Sequence, residues 1–243
     1  MRTTQTKLAA AVLSACLPLV ASAGDAPASP ITGNVTLATD YVFRGISQTD
    51  ENPAIQGGFD YAHASGFYLG AWGSNVDFND GDEASMELDI YGGYKMSLSK
   101  EMTLDLGLLG YLYPGAASAK NYDFWEIYAK LGYDFGFMQA LAGVHYSPDF
   151  FAASDDGWYY FAEASIPVGG GVSAVAHIGY QDIKDEAAFG APSYTEWKLG
   201  ATASFVGLNF GLFYTDTDLD TAECFGGTDL CGGRAVFTVS KSL

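Results

Sequence analysis

Charge is scarce in this chain. Only 16% of its 243 residues are charged, against about a quarter in an ordinary soluble domain. Basic residues are scarcer still: 11 Lys and Arg face 29 Asp and Glu, a net charge of −18. That balance excludes nucleic acid as a partner, because phosphate binding needs a basic surface. Long apolar runs are lacking as well. Past the N-terminal segment, nothing approaches the roughly 18 uninterrupted apolar residues of a transmembrane helix. Cysteine is rare, with Cys16, Cys224 and Cys231 making up the set. Common catalytic signatures are missing too: there is no G-x-S-x-G, no H-E-x-x-H and no phosphate-binding loop.

Aromatics and glycine fill the gap, with 16 Tyr, 16 Phe and 30 Gly. A chain rich in these and poor in charge suits an outer-membrane strand protein. The N-terminus fits export. Arg2 and Lys7 precede an apolar run from Leu8 to Val20, and Ala21-Ser22-Ala23 forms an A-x-A cleavage site. This predicts a signal peptide over 1–23, whose loss removes two positive charges and takes −18 to −20. Leu13-Ser14-Ala15-Cys16 also matches a lipoprotein box, but Leu17 to Val20 stay apolar where a lipoprotein turns polar. Residues 24–32 read as a short N-terminal linker, and 33–243 as the folded body.

That body alternates. Met86, Leu88, Ile90, Gly92, Tyr94 and Met96 share one face, and Glu87, Asp89, Tyr91, Gly93 and Lys95 share the other. Period two over this length is a β-strand with one apolar and one polar face. The same template fits 34–45, 54–62, 67–74, 102–113, 122–133, 137–146, 157–166, 172–181, 194–204, 208–215 and 234–243. The phase of 67–74 is ambiguous, because Tyr68 and Trp72 fall on its polar face. Short turns and longer acidic loops alternate between these strands, as in bacterial outer-membrane barrels. The expected fold is therefore all-β: a 12-stranded antiparallel up-and-down transmembrane β-barrel.

The two faces favour membrane over water. The one charge on the apolar face is Lys241. Outward aromatics gather at the long-loop end (Tyr41, Phe43, Trp125, Tyr146, Trp158, Tyr160, Tyr180, Trp197 and Tyr214) and at the short-turn end (Tyr61, Phe67, Tyr94 and Tyr133), as two interfacial girdles. A lipocalin-like soluble barrel would need the inverse packing, and twelve strands enclose more space than these apolar side chains fill.

The run Asp40-Tyr41-Val42-Phe43-Arg44-Gly45-Ile46-Ser47-Gln48-Thr49 resembles the N-terminal signature of the TorF-type porin family, also described as exported proteins containing Gly, Cys and Trp. Further matches are 53–58, Gly66-Phe67-Tyr68-Leu69-Gly70-Ala71-Trp72, Ser74-Asn75-Val76, Tyr113-Pro114-Gly115 and the ending 236–242. The resemblance covers essentially the whole mature chain and implies an outer-membrane β-barrel porin, with little about its substrate. Leu243 departs from the aromatic that commonly ends such barrels.

Candidate pore-lining residues are the polar-face charges and histidines: Asp40, Arg44, Asp60, Glu87, Asp89, Lys95, Asp105, Glu126, Lys130, His145, Glu163, His177, Glu196, Lys198 and Arg234. The bases are expected beside carboxylates as compensated pairs. An inward His near acids could serve a membrane-embedded hydrolase, but such residues are more often plain wall groups, and no enzyme is expected. Asp216, Asp218 and Asp220 open like an EF-hand, yet Thr221 and Gly227 stand where Gly and Glu belong. No metal or cofactor is therefore expected. Cys224 and Cys231 remain after leader removal and are expected to form a disulfide in an oxidising compartment. The function that follows is passive diffusion of small polar solutes or ions, with mild cation preference from a net negative wall. The alternative is a non-conducting structural or adhesive barrel acting through its acidic loops. Expected partners are outer-membrane lipid, lipopolysaccharide, the barrel-assembly machinery and the solutes themselves.

Overall fold

In the computed structural model the described residues are 29–243, except 80, 82 and 83. The leader over 1–23 and most of the linker lie outside them. Twelve strands form a closed barrel: β1 Ile31–Ala38, β2 Ala54–Ala62, β3 Phe67–Asn75, β4 Met86–Ser97, β5 Met102–Leu112, β6 Phe124–Asp134, β7 Gln139–Ser147, β8 Gly157–Gly169, β9 Val172–Ile183, β10 Tyr194–Phe205, β11 Leu208–Thr217 and β12 Arg234–Ser242. Every strand pairs antiparallel with its sequence neighbour, and β1 closes the ring on β12 from Asn34↔Ser242 to Ala38↔Thr238. Among the described residues no helix is long and apolar enough to cross a membrane.

Alternation sorts the side chains as the pleat requires. Apolar side chains face out and stay exposed, among them Leu37, Ile55, Phe59, Leu69, Leu108 and Leu199. Charged and polar residues face in and are buried, among them Glu87, Glu126, His145, Glu163 and Gln181. In water that arrangement would expose large apolar surface and bury charge, a costly inversion of the usual core. In a bilayer it is the stable one. Register settles the phase of β3: Trp72 pairs with inward Asp89, and Tyr68 with inward Gly93, so both rings face the lumen.

The expected first strand, 34–45, is wrong in its second half. The sheet ends at Ala38, and the chain turns into the bore as a hairpin, Val42–Phe43 pairing with Ile46–Ser47. Arg44 and Gly45 form its turn, with φ of 46° and 82°, the positive pair that a two-residue hairpin turn requires. Alternation continues through this hairpin because it is itself extended, so periodicity cannot show that its partner has changed. Asp40 and Arg44 therefore sit on the inserted segment and not on a barrel strand. Tyr41 and Phe43 leave the outward girdle for the same reason: Tyr41 is buried beside Trp72, and Phe43 packs edge-on against Tyr111.

The buried apolar cluster sits at the long-loop end. Tyr113, Tyr122 and Phe151 from the loops pack around Phe78 with ring centroids 5.4–5.6 Å away, and Phe150 meets Phe189. The expected disulfide is present, Cys224–Cys231 with Cα atoms 6.0 Å apart, inside this cluster.

Candidate functional site

The hairpin crosses the bore, and its tip meets the far wall. The Arg44 guanidinium donates to both carboxylate oxygens of Glu126 on β6 at 2.8 Å and to Oε1 of Gln181 on β9 at 2.7 Å. It lies 4.1 Å from the Tyr159 ring centroid and 4.7 Å from that of Phe43. The Nδ1–H of His145 on β7 donates to the same Glu126 at 2.7 Å. Glu126 is 1% exposed and Gln181 0%, so the pair is sealed from water on the wall side. Burial opposes the charge on Arg44, but Glu126 beside it more than offsets this, and its pKa lies above the usual arginine value.

The base of the hairpin is tied down separately. Asp40 accepts from Ser47 at 2.7 Å, Thr49 at 2.9 Å and Arg234 at 3.2 Å. Arg234 also reaches Glu51 at 3.1 Å. Tyr41 donates to Glu87 at 2.7 Å, and the Ser47 amide donates to the Leu230 carbonyl inside the disulfide-bridged loop at 2.9 Å. The plug thus has a fixed root and a tip held by one charged group.

Below the tip the lumen carries two further polar groups. His177 on β9 stands between Glu196 at 2.7 Å and Glu163 at 3.3 Å. Tyr159 donates to Glu196 at 2.5 Å, and Lys198 lies 3.8 Å from Glu163. Across the barrel, Tyr68 donates to Asp105 at 2.6 Å and meets the Tyr128 hydroxyl, while Tyr91 donates to Asp60 at 2.5 Å. Lys95 is 3.8 Å from Asp105, and the Lys130 ammonium sits 4.1 Å over the Tyr128 ring. Asp89 is buried on β4 beside the root of the hairpin, where Tyr41 and Tyr113 lie.

The structure places Asp40 and Arg44 on the inserted segment, Arg234 at its root, and the other sequence-predicted residues on the inward faces of the barrel strands. Sequence reasoning missed Gln181 and Tyr159, which complete the Arg44 cage, and Tyr68, Tyr91 and Tyr128. Parity was the signal for Tyr91, Tyr128 and Tyr159, which share a strand face with identified charges, and for Gln181, which shares one with His177; Tyr68 lies on a strand without charge and is placed by its pairing with Gly93. Asp216 near the end of β11 and Asp218 in the loop after it accept backbone N–H bonds, and Asp220 caps a short 3₁₀ turn, Thr221–Glu223. No cluster of His, Cys, Asp and Glu suited to a metal occurs among the described residues. Outside the barrel strands, Lys184 bridges Asp155 and Asp156 at 3.0 and 3.4 Å. Its hydrogen bond lowers the Asp155 pKa, and Asp155 with Asp156 raises that of Lys184.

A family model described as a bacterial protein of unknown function, Gcw_chp, matches residues 22–243. That description assigns no activity and does not carry the TorF-type porin designation. No curated protein matches the chain. Among solved structures the barrel is similar to a KdgM porin at 6% identity, with a TM-score of 0.60 over 87% of this chain and 99% of that one. It is also similar to a NanC porin at 10% identity, with a TM-score of 0.58 over 86% and 97%. At such identities the likeness is one of fold.

Proposed function

We propose, from the premise that the chain belongs to the Gcw_chp family of bacterial proteins of unknown function, that it is an outer-membrane, porin-like channel for passive diffusion of small polar solutes or ions. One observation carries this: a closed barrel with exposed apolar residues outside and charged residues lining its interior. The fold shared with two barrels described as porins supports it. The lining is net negative, with Asp40, Asp60, Glu87, Asp89, Asp105, Glu126, Glu163 and Glu196 against Arg44, Lys95, Lys130, Lys198 and Arg234. Such a wall concentrates cations, so the channel is mildly cation-preferring. The hairpin closes the long-loop half, and conduction requires the Arg44 tip to leave Glu126. His145 and His177 act as wall groups that hold carboxylates, without a catalytic role.

Planar-bilayer recording of the purified barrel tests this. Cation-selective current that rises when Arg44 is replaced supports the channel. Anion selectivity overturns the preference. Silence in both wild type and Arg44→Ala overturns the channel and favours the second reading, a structural or adhesive barrel working through its acidic loops. The buried plug is the observation that keeps that reading in play.

A further inference from the structure

The inner wall of β3 and β4 is tiled by two tyrosines. Strand β3 contributes Tyr68 and Gly70, strand β4 contributes Tyr91 and Gly93, and the register sets Tyr68 against Gly93 and Gly70 against Tyr91. A methyl group on Gly70 would overlap the Tyr91 ring, and one on Gly93 would overlap the Tyr68 hydroxyl and ring. The Tyr91 ring therefore lies over Gly70, and the hydroxyl end of Tyr68 lies over Gly93. Both remain partly exposed, whereas Tyr128, which covers Gly107 on β5, is buried.

The charges beside the tile cancel. Asp60 and Asp105 accept from its hydroxyls. Lys95 stands beside Asp105, and Lys130 faces Asp105 in the register. Two carboxylates and two ammonium groups leave this stretch neutral, unlike the lumen as a whole. Opposite, β10 to β12 present Thr202, Asn209, Thr238 and Ser240 inward, a wall of hydroxyl and amide groups. We infer that this section of the bore binds neutral pyranosides, an inference that rests on the channel reading. A sugar's C–H face stacks on Tyr68 and Tyr91, and its hydroxyls exchange hydrogen bonds with the polar rim and the facing wall. A flat aromatic face could also hold an organic cation, but here the carboxylates are already matched by lysines.

The test is titration calorimetry of the full-length barrel in detergent, with maltotriose as the probe and tetramethylammonium and mannitol as comparisons, alongside bilayer current. Saturable maltotriose binding is expected, with little response to the comparisons. Tyr68→Ala and Tyr91→Ala should each weaken it by about 3- to 10-fold, the value of a stacked ring. Tyr91→Phe, which keeps the ring and the fold, should bind within about twofold of wild type. A conducting barrel that binds no maltotriose, or binds tetramethylammonium more tightly, overturns the inference and leaves the channel standing. Maltotriose binding without current in any variant supports the sugar site and overturns the channel. Equal binding by Tyr68→Ala, Tyr91→Ala and wild type overturns the stacking assignment.

Discussion

Arg44→Ala is the sharpest perturbation of this barrel. The substitution removes the one charged group that holds the hairpin tip to the far wall, and leaves Glu126 at 1% exposure with His145 as a remaining donor at 2.7 Å. Breaking a buried pair from one side typically costs about 3–5 kcal/mol. Because His145 still satisfies one carboxylate oxygen, the lower end applies, about 3 kcal/mol, which is a factor on the order of 10² in an equilibrium. If that energy holds the plug in, the ratio of open to closed barrel rises by the same factor. Single-channel open probability reads it directly. Barrel melting should change less, since the twelve-strand ladder is untouched. The double variant Arg44→Ala/Glu126→Gln supplies the cycle: a coupling energy above about 1.5 kcal/mol is expected of two groups in contact. An unchanged open probability in Arg44→Ala, with additive effects in the double variant, would refute the latch.

Other expectations follow from the same structure. Leu199→Arg, at an exposed outward site near the middle of β10, should cost about 2–4 kcal/mol of folding into lipid, whereas inward Thr202→Arg should fold; equal folding yields in vesicles would contradict the membrane orientation. Reduction of Cys224–Cys231, or Cys224→Ser with Cys231→Ser, should release about 2–3 kcal/mol of local constraint, read as faster proteolysis of 218–233 with little change in barrel melting. Mass mapping of the non-reduced protein should recover that bridged peptide; two free thiols would count against it. Asp60→Asn with Asp105→Asn should lower the potassium-to-chloride permeability ratio in reversal-potential measurements, and an unchanged ratio would remove the lumen wall as the source of selectivity.

The barrel strands were legible because a membrane forces a strict sorting: every second residue meets lipid, and a single misplaced charge is costly. Hence the inward set from Asp60 to Lys198 could be named from parity alone. The hairpin could not. Its residues keep period two, and the clue to a turn, Arg44-Gly45, lies inside what looks like a strand. The pair Arg44–Glu126 joins residues 82 apart in the chain and Arg44–Gln181 joins residues 137 apart, and no local pattern encodes such a contact. The tyrosine tile was half visible. Tyr68 and Trp72 made the phase of 67–74 look doubtful because aromatics on a polar face contradict the simple template, and the glycines that accommodate them sit on the neighbouring strand.

The seam between β1 and β12 has a consequence for how the barrel is made. Eleven of the strand pairings join neighbours in sequence and can form as hairpins, each closing a local connection whose entropic cost grows only slowly with its length. The seam instead joins the two ends of the chain, and its register covers five pairs, from Asn34↔Ser242 to Ala38↔Thr238. It is the slow, non-local step. The plug hairpin leaves β1 right at this seam, and its root is held by Arg234 on β12, 194 residues from Asp40. An open sheet therefore cannot seat the plug at its root, and a sheet that closes first must admit the plug through its mouth. Ring closure and plug docking thus share the Arg234–Asp40 contact, so a barrel lacking that tie should close more slowly even where its finished stability is the same.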